Sequence, residues 1–316
     1  MSNQFRYLLS AEQVIATLLR SYPEAEAMER AVGGDFERFG VLEHAVLREA
    51  GLTPESNVVD VGCGSGRLAT QLSRHAGLRY LGTDVVPAML EYARRRTARP
   101  DFRFIHVDRV GIPAPDASAD IVAFFSVLTH LLHEESFLYL EEAHRVLKPG
   151  GKVVFSFLEY DTPIGWTVFK ANLDWVRKRI VASQINVFLH RGDIRQWARR
   201  LGFRVELLRS GEPGSVTVSE AEATPTIVAG PHAFGQSLCV LRKPGPTDTE
   251  EGGPAGTDRS RNQERKDRRT RSATDAAALE PGEKAQRDAG EDRAARRVQR
   301  GEVRRGTRRS PDRTGK

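Results

Sequence analysis

The chain has 316 residues, 39% of them hydrophobic, with 48 Lys+Arg against 42 Asp+Glu, enough apolar content for one large core or two small ones. The charge is uneven, since residues 1–243 carry 29 basic against 28 acidic side chains and residues 244–316 carry 19 against 14. No apolar run approaches the roughly 20 residues that span a bilayer, and Cys63 and Cys239 make neither a disulfide framework nor a metal cluster.

The first 50 residues read as helices. Ser10 with Gln13 resembles a capping box ahead of "VIATLLRSY", and Gly33 and Gly51 stand where C-caps would end the next two helices. The N-terminus "MSNQFRYLLSAEQV" lacks the basic start and long apolar run of a signal peptide, so a cytoplasmic protein is expected.

From residue 57 short apolar runs alternate with helical stretches. "NVVDV", "LRYLGTD", "FRFIHVD", "DIVAFFS" and "GKVVFSF" are the candidate strands. Pro87 suits the first position of the helix "AMLEYARRR", and Pro149–Gly150–Gly151 is expected to stop the helix before the fifth strand. Alternation of this kind predicts a parallel sheet with helices on both faces.

The turn "VVDVGCGSGRLATQL" carries the first functional signal. Gly62, Gly64 and Gly66 follow a strand and precede a helix, where residues without a Cβ permit positive φ and let backbone lie against a ligand. A dinucleotide fingerprint would need a third glycine at residue 67, where Arg67 stands. The second strand ends in Asp84, placed to accept from both hydroxyls of a ribose. The third ends in Asp108, whose carboxylate could accept from an exocyclic amine. Together these describe a nucleoside pocket with no pyrophosphate cradle.

At this point the chain resembles the class I S-adenosylmethionine-dependent methyltransferases, in particular their small-molecule branch. "VVDVGCGSG", "LGTDVV", "IHVD", "DIVAFFSVLTHL" and "VLKPGGKVVFSF" look like five family motifs in order. The resemblance implies a Rossmann-like α/β fold with a seven-stranded, mostly parallel sheet whose last strand, "QSLCVLRK", runs antiparallel. It implies S-adenosyl-L-methionine as cofactor, with Asp60, Gly62 and Gly64 facing the methionine moiety. Asp84 would hold the ribose, Asp108 the adenine amine, and Ser126 would lie near the reactive end. Cys63, Gly66, Val85 and Arg109 fall in the same turns and are counted with that site; Cys63 otherwise reads as a small turn residue.

His130 and His133 follow the fourth strand and are the candidate bases for a hydroxyl acceptor. Glu159, Tyr160, Asp161 and His190 are candidates for touching substrate. In "TPIGWTVFKANLDWVRKRIVASQ", Trp166, Phe169, Leu173, Val176 and Ile180 form an apolar helical stripe, either packed on the sheet or acting as a lid. Residues 211–235 form a long connection that could wall the site.

The expected organisation is an N-terminal helical extension (1–36), a methyltransferase domain (37–243) with a substrate insertion at about 160–190, and a disordered charged tail (244–316). The expected activity is methyl transfer to a small-molecule acceptor, on oxygen, with no metal, no membrane and no nucleic-acid partner. Two other readings stay open: an RNA or protein methyltransferase docking through the basic tail, and a cofactor-binding protein without turnover.

Overall fold

The structure is a computed structural model that describes residues 8–178 and 186–249. Three helices open the chain: α1 (Leu8–Ser21), α2 (Glu24–Ala31) and α3 (Phe36–Glu49). Strand β1 (Asn57–Val61) then feeds α4 (Arg67–Leu72), β2 (Arg79–Asp84) feeds α5 (Pro87–Thr97), and β3 (Arg103–His106) leads to β4 (Ala119–Phe124). A short 3-10 turn at Leu128–His130 precedes α6 (His133–Val146), β5 (Leu147–Phe157) and α7 (Pro163–Arg177). Last come α8 (Arg191–Leu201), β6 (Arg204–Arg209), β7 (Val216–Val218), β8 (Gly230–His232) and β9 (Ser237–Arg242).

Seven strands form one sheet in the order β3-β2-β1-β4-β5-β9-β6, and β7 with β8 makes a separate antiparallel pair. Only β9 runs against its neighbours in the large sheet. The fold is therefore the one the resemblance implied. Strand order reverses between β1 and β4, which opens a crevice at the carboxyl ends of those strands.

Both faces of the sheet are covered. On one face Val59, Val61, Val122 and Phe155 pack with Tyr139 of α6 and Ile194 of α8. On the other, Val58, Ile121 and Val154 pack with Val46 of α3 and Leu72 of α4. Near-continuous burial along β1, β4 and β5 is what a parallel sheet between two helical layers requires.

Local chemistry explains the boundaries. Gly51 adopts φ +102°, and Gly51 and Leu52 return hydrogen bonds to the carbonyls of Arg48 and Leu47, closing α3. Pro87 occupies the first turn of α5 as expected. The described part of α1 already includes Leu8, so Ser10 lies within the helix rather than before it. Helix α6 stops at Val146, before Pro149, because Leu147 is already extended and β5 begins there with a register shift against β4.

The N-terminal helices belong to the same core. Ile15 and Met28 are buried with Val86 and Met89. Residues 246–249 also hold to the domain, since Arg242 pairs with Asp248 and Arg204 Nη2 donates to the Asp248 carbonyl at 2.7 Å. The rest of the predicted tail, and Ile180 of the apolar stripe, lie outside the described residues. No described helix is long and apolar enough to cross a membrane.

Candidate functional site

The crevice at the strand switch is a cleft of about 330 Å³, the size of a small-ligand site. Its floor is the glycine turn after β1. Gly62, Gly64 and Gly66 have φ of +70°, +55° and +84°. A Cβ on Gly62 would stand 2.5 Å from Val127 Cγ2, and one on Gly64 would stand 2.7 Å from Val32 Cγ1. Side chains are thus excluded both by backbone conformation and by space, which leaves bare backbone facing the cleft.

Two carboxylates frame the turn. Asp84 accepts from the Gly64 N–H through Oδ2 and from the Val86 N–H through Oδ1, both at 2.9 Å. Burial raises its pKa, and these N–H donors oppose the rise. A carboxylate offers about four lone-pair sites, so Asp84 retains acceptor capacity for a ligand. Asp60 lies beneath the turn and accepts from the Tyr80 hydroxyl at 2.7 Å. Burial pushes Asp60 up to about 8, against the lowering effect of that hydrogen bond.

A third acid, Glu43 of α3, also lines the cleft and is 1% exposed. Burial raises its pKa, and Arg67 opposes this through Nη2 at 2.6 Å and Nε at 2.7 Å. Arg67 Nη1 donates in addition to the Val32 carbonyl at 2.7 Å. The residue in place of the dinucleotide glycine therefore binds α3 and the α2–α3 link to the glycine turn. The N-terminal helices roof the cleft through Ala11, Ala31 and Val32.

Beside the glycine turn, after the neighbouring strand β4, lie Phe125, Ser126, Val127 and His130, with Gln236 just before β9. Ser126 is left-handed at φ +59°. Its N–H donates to Ser156 Oγ (2.8 Å), Ser156 Oγ donates to Gln236 Oε1 (2.7 Å), and Gln236 Nε2 donates to Ser126 Oγ (3.0 Å).

Of the residues singled out in the sequence, Asp60, Gly62, Cys63, Gly64, Asp84, Val85, Ser126 and His130 all line this one cleft. Gly66 shapes the turn without lining it, its missing Cβ making room for Ala93. Burial raises the Cys63 thiol well above its usual range, so it is an inert lining group.

Two placements differ from the expectation. Asp108 and Arg109 are exposed, and Val107 lines the cleft instead, because edge strand β3 ends at His106 and the chain has left the sheet by residue 108. His133 does not reach the cleft either. Its Nε2 contacts the Phe188 carbonyl at 3.1 Å and its ring packs edge-on against Trp197, so it anchors the segment before α8.

Of the other candidates, Asp161 is exposed and three have structural partners. Glu159 pairs with Arg191 at 2.7 Å, His190 caps α8 by accepting from the Gly192 N–H at 3.1 Å, and Tyr160 stacks on Phe188. Sequence reasoning missed Glu43, Tyr80 and Gln236. Glu43 alone left a trace, as a charge within the apolar run "GVLEHAVL".

Residues 59–155 match a family described as a methyltransferase domain. The matched stretch runs from within β1 to within β5 and so holds the glycine turn and Asp84. A malonyl-[acyl-carrier protein] O-methyltransferase of Serratia marcescens is 34% identical over 138 residues, 44% of this chain and 48% of its own. A demethylmenaquinone methyltransferase of Staphylococcus aureus (strain JH9) is 32% identical over 122 residues, 38% of this chain and 50% of the other. The chain spans about half the length of the curated relatives it matches.

Among solved structures, the complex between the Haloferax volcanii Trm112 methyltransferase activator and a methyltransferase includes a chain of the same fold. That chain is 22% identical, with a TM-score of 0.50, over 74% of this chain and 98% of the other. The methyltransferase cofactor fits the cleft by its chemistry. Bare glycine backbone, a strand-end carboxylate with lone pairs to spare, and the buried Thr83 Oγ1 with no protein partner all border it.

Proposed function

We propose that the protein is an S-adenosylmethionine-dependent methyltransferase acting on an oxygen of a small-molecule acceptor. The observation that carries the cofactor assignment is the meeting of the glycine turn with Asp84 at the strand switch, Gly64 N–H bonded to Asp84 Oδ2 at 2.9 Å. When bound, the cofactor's sulfonium supplies an electrophilic methyl group and leaves as a neutral thioether. The chain's task is then to hold the nucleophile in line and to exclude water.

Asp84 holds the ribose, and the glycine turn with Asp60 receives the methionine end. His130 lines the cleft and is placed to take the proton of a hydroxyl acceptor. Acceptor specificity is supported by the aromatic cluster beyond β5. Tyr160 stacks on Phe188 with ring centroids 4.5 Å apart, and Phe169 and Trp166 of α7 join them. The Val187 N–H donates to the Thr129 carbonyl at 2.8 Å, which connects this cluster to the residue beside His130. Trp166 and Tyr160 remain about half exposed, as a lid over an apolar acceptor requires. The relatives named for an acyl-carrier-linked malonyl group and for a demethylmenaquinone are consistent with a small organic acceptor.

Calorimetry on the full chain tests the assignment. S-adenosylmethionine should bind with micromolar affinity, nicotinamide dinucleotide should not bind, and Asp84→Asn should weaken the former at least tenfold. No binding by the unaltered chain would overturn it.

A further inference from the structure

The ring formed by Ser126, Ser156 and Gln236 has a direction, and the direction is forced. The Ser126 N–H can only donate, so Ser156 Oγ accepts at 2.8 Å. Ser156 is fully buried, so its own proton must be used within the protein. The remaining neighbour is the Gln236 amide at 2.7 Å, which therefore presents Oε1. The amide nitrogen then faces Ser126 Oγ at 3.0 Å, and because that nitrogen only donates, Ser126 Oγ accepts.

Two donors are left over: the Ser126 O–H and the second N–H of Gln236. Both residues line the cleft, and Ser126 follows β4, the neighbour of β1. Ser126 also holds a left-handed backbone at φ +59°. That conformation is strained for a residue with a Cβ, and such strain persists where surrounding structure enforces a functional geometry.

We propose that Ser126 and Gln236, locked in orientation by Ser156, form a two-donor clamp that selects an ionised carboxylate on the acceptor. This rests on the methyltransferase reading, because the clamp is useful only if the cofactor's methyl group arrives beside it. A carboxylate has two oxygens, accepts from both donors, and reaches the site with a free lone pair, so no proton has to move. A protonated amine finds there only the second lone pair of Ser126 Oγ, and no partner for the Gln236 N–H, and is disfavoured. A carboxylate also leaves His130 without a proton to remove.

The acids that line the cleft each have protein partners. Glu43 is paired with Arg67, Asp84 accepts two backbone N–H bonds, and Asp60 is held by burial and the Tyr80 hydroxyl. The aromatic cluster beyond β5 would receive the apolar body of such an acid.

The test titrates octanoate, benzoate and 4-phenylbutyrate, with octylamine and benzylamine as matched amines, onto the full chain. Binding is read by calorimetry, with and without saturating S-adenosylhomocysteine. The acids should bind at least tenfold more tightly than the amines. Ser156→Ala, which touches no ligand but frees the Gln236 amide to turn, should erase most of that preference while S-adenosylhomocysteine affinity changes less than twofold. Gln236→Glu should lower acid affinity further.

Equal binding of acids and amines, no binding of any acid, or an unchanged preference in Ser156→Ala would each overturn the clamp. Failure of S-adenosylhomocysteine to bind would sink the methyltransferase reading separately, because the acid-over-amine preference is read in its absence as well.

Discussion

Asp60 shows how much a single buried acid can shape behaviour. Its carboxyl titrates near 8 in the folded protein, against 3.8 for the ordinary group, because it is out of water and has one hydrogen-bond donor, Tyr80. Between those values the folded state keeps a proton that the unfolded chain releases, so stability falls as pH rises through this window. Burial moves Glu43 and Asp84 in the same direction. The melting temperature of the ligand-free protein should therefore drop from pH 5 to pH 8, and Asp60→Asn should flatten that slope. A scan of thermal unfolding against pH checks it, and a slope unchanged by the substitution would count against a neutral Asp60. The importance of Asp60 was legible in its place before the glycines. Its protonation was not, because desolvation depends on what covers the residue.

At the scale of elements, the long connection between β6 and β9 is fastened to α3 by Glu222, by Arg48 on the Thr217 carbonyl and by Thr226 on Glu37. Glu222 accepts from Arg48 Nε at 3.0 Å and from Ser219 Oγ at 2.6 Å, and bonds His44 Nδ1 at 2.8 Å. His44 in turn meets His75 at 2.8 Å. Although burial opposes ionisation, the hydrogen bonds from Ser219, Arg48 and His44 lower Glu222 to about 2. The stability it contributes is complete above its ordinary value of 4.5 and is lost as pH falls toward 2. Glu222→Ala removes the acceptor that Arg48, His44 and Ser219 share and should cost about 1–2 kcal/mol, since Arg48 is partly exposed and keeps its bond to the Thr217 carbonyl. Hydrogen exchange at β7 and β8 should accelerate more than at β1 and β4; uniform acceleration would mean that the carboxylate does not act as a local fastening.

Helix α7 shows the limit of periodicity as evidence. Its apolar stripe was readable, yet Gly165 is its only buried residue among the described positions, and Val176 is 75% exposed. Spacing identifies an apolar face but not what covers it.

Across the whole molecule, the cofactor cleft is completed by the chain's first helices. Ser65 Oγ donates to the Met28 carbonyl at 2.9 Å, and Arg67 Nη1 donates to the Val32 carbonyl at 2.7 Å, so the glycine turn holds α2 over the cleft. Ser65→Ala should cost about 1–2 kcal/mol. It should also raise amide exchange across residues 11–33 about tenfold and speed cofactor dissociation, with the central strands unaffected. Protection unchanged in those helices would show that the roof is held by packing of Ile15 and Met28 alone.

The alternation of strands and helices, the glycine turn and the strand-end Asp84 were all determined by the sequence itself. Parallel-sheet burial, positive φ and a ligand-facing acid each demand particular residue types at fixed local spacing. Which distant side chains meet was decided only by the tertiary structure. The Glu43–Arg67 pair crosses from α3 to α4, and the Ser126–Ser156–Gln236 ring joins residues up to 110 positions apart. Asp108 falls outside the lining of the cleft for the same reason that Gln236 falls within it. A side chain's place in a cleft depends on where its strand ends and which strand lies beside it, and no local pattern carries that information.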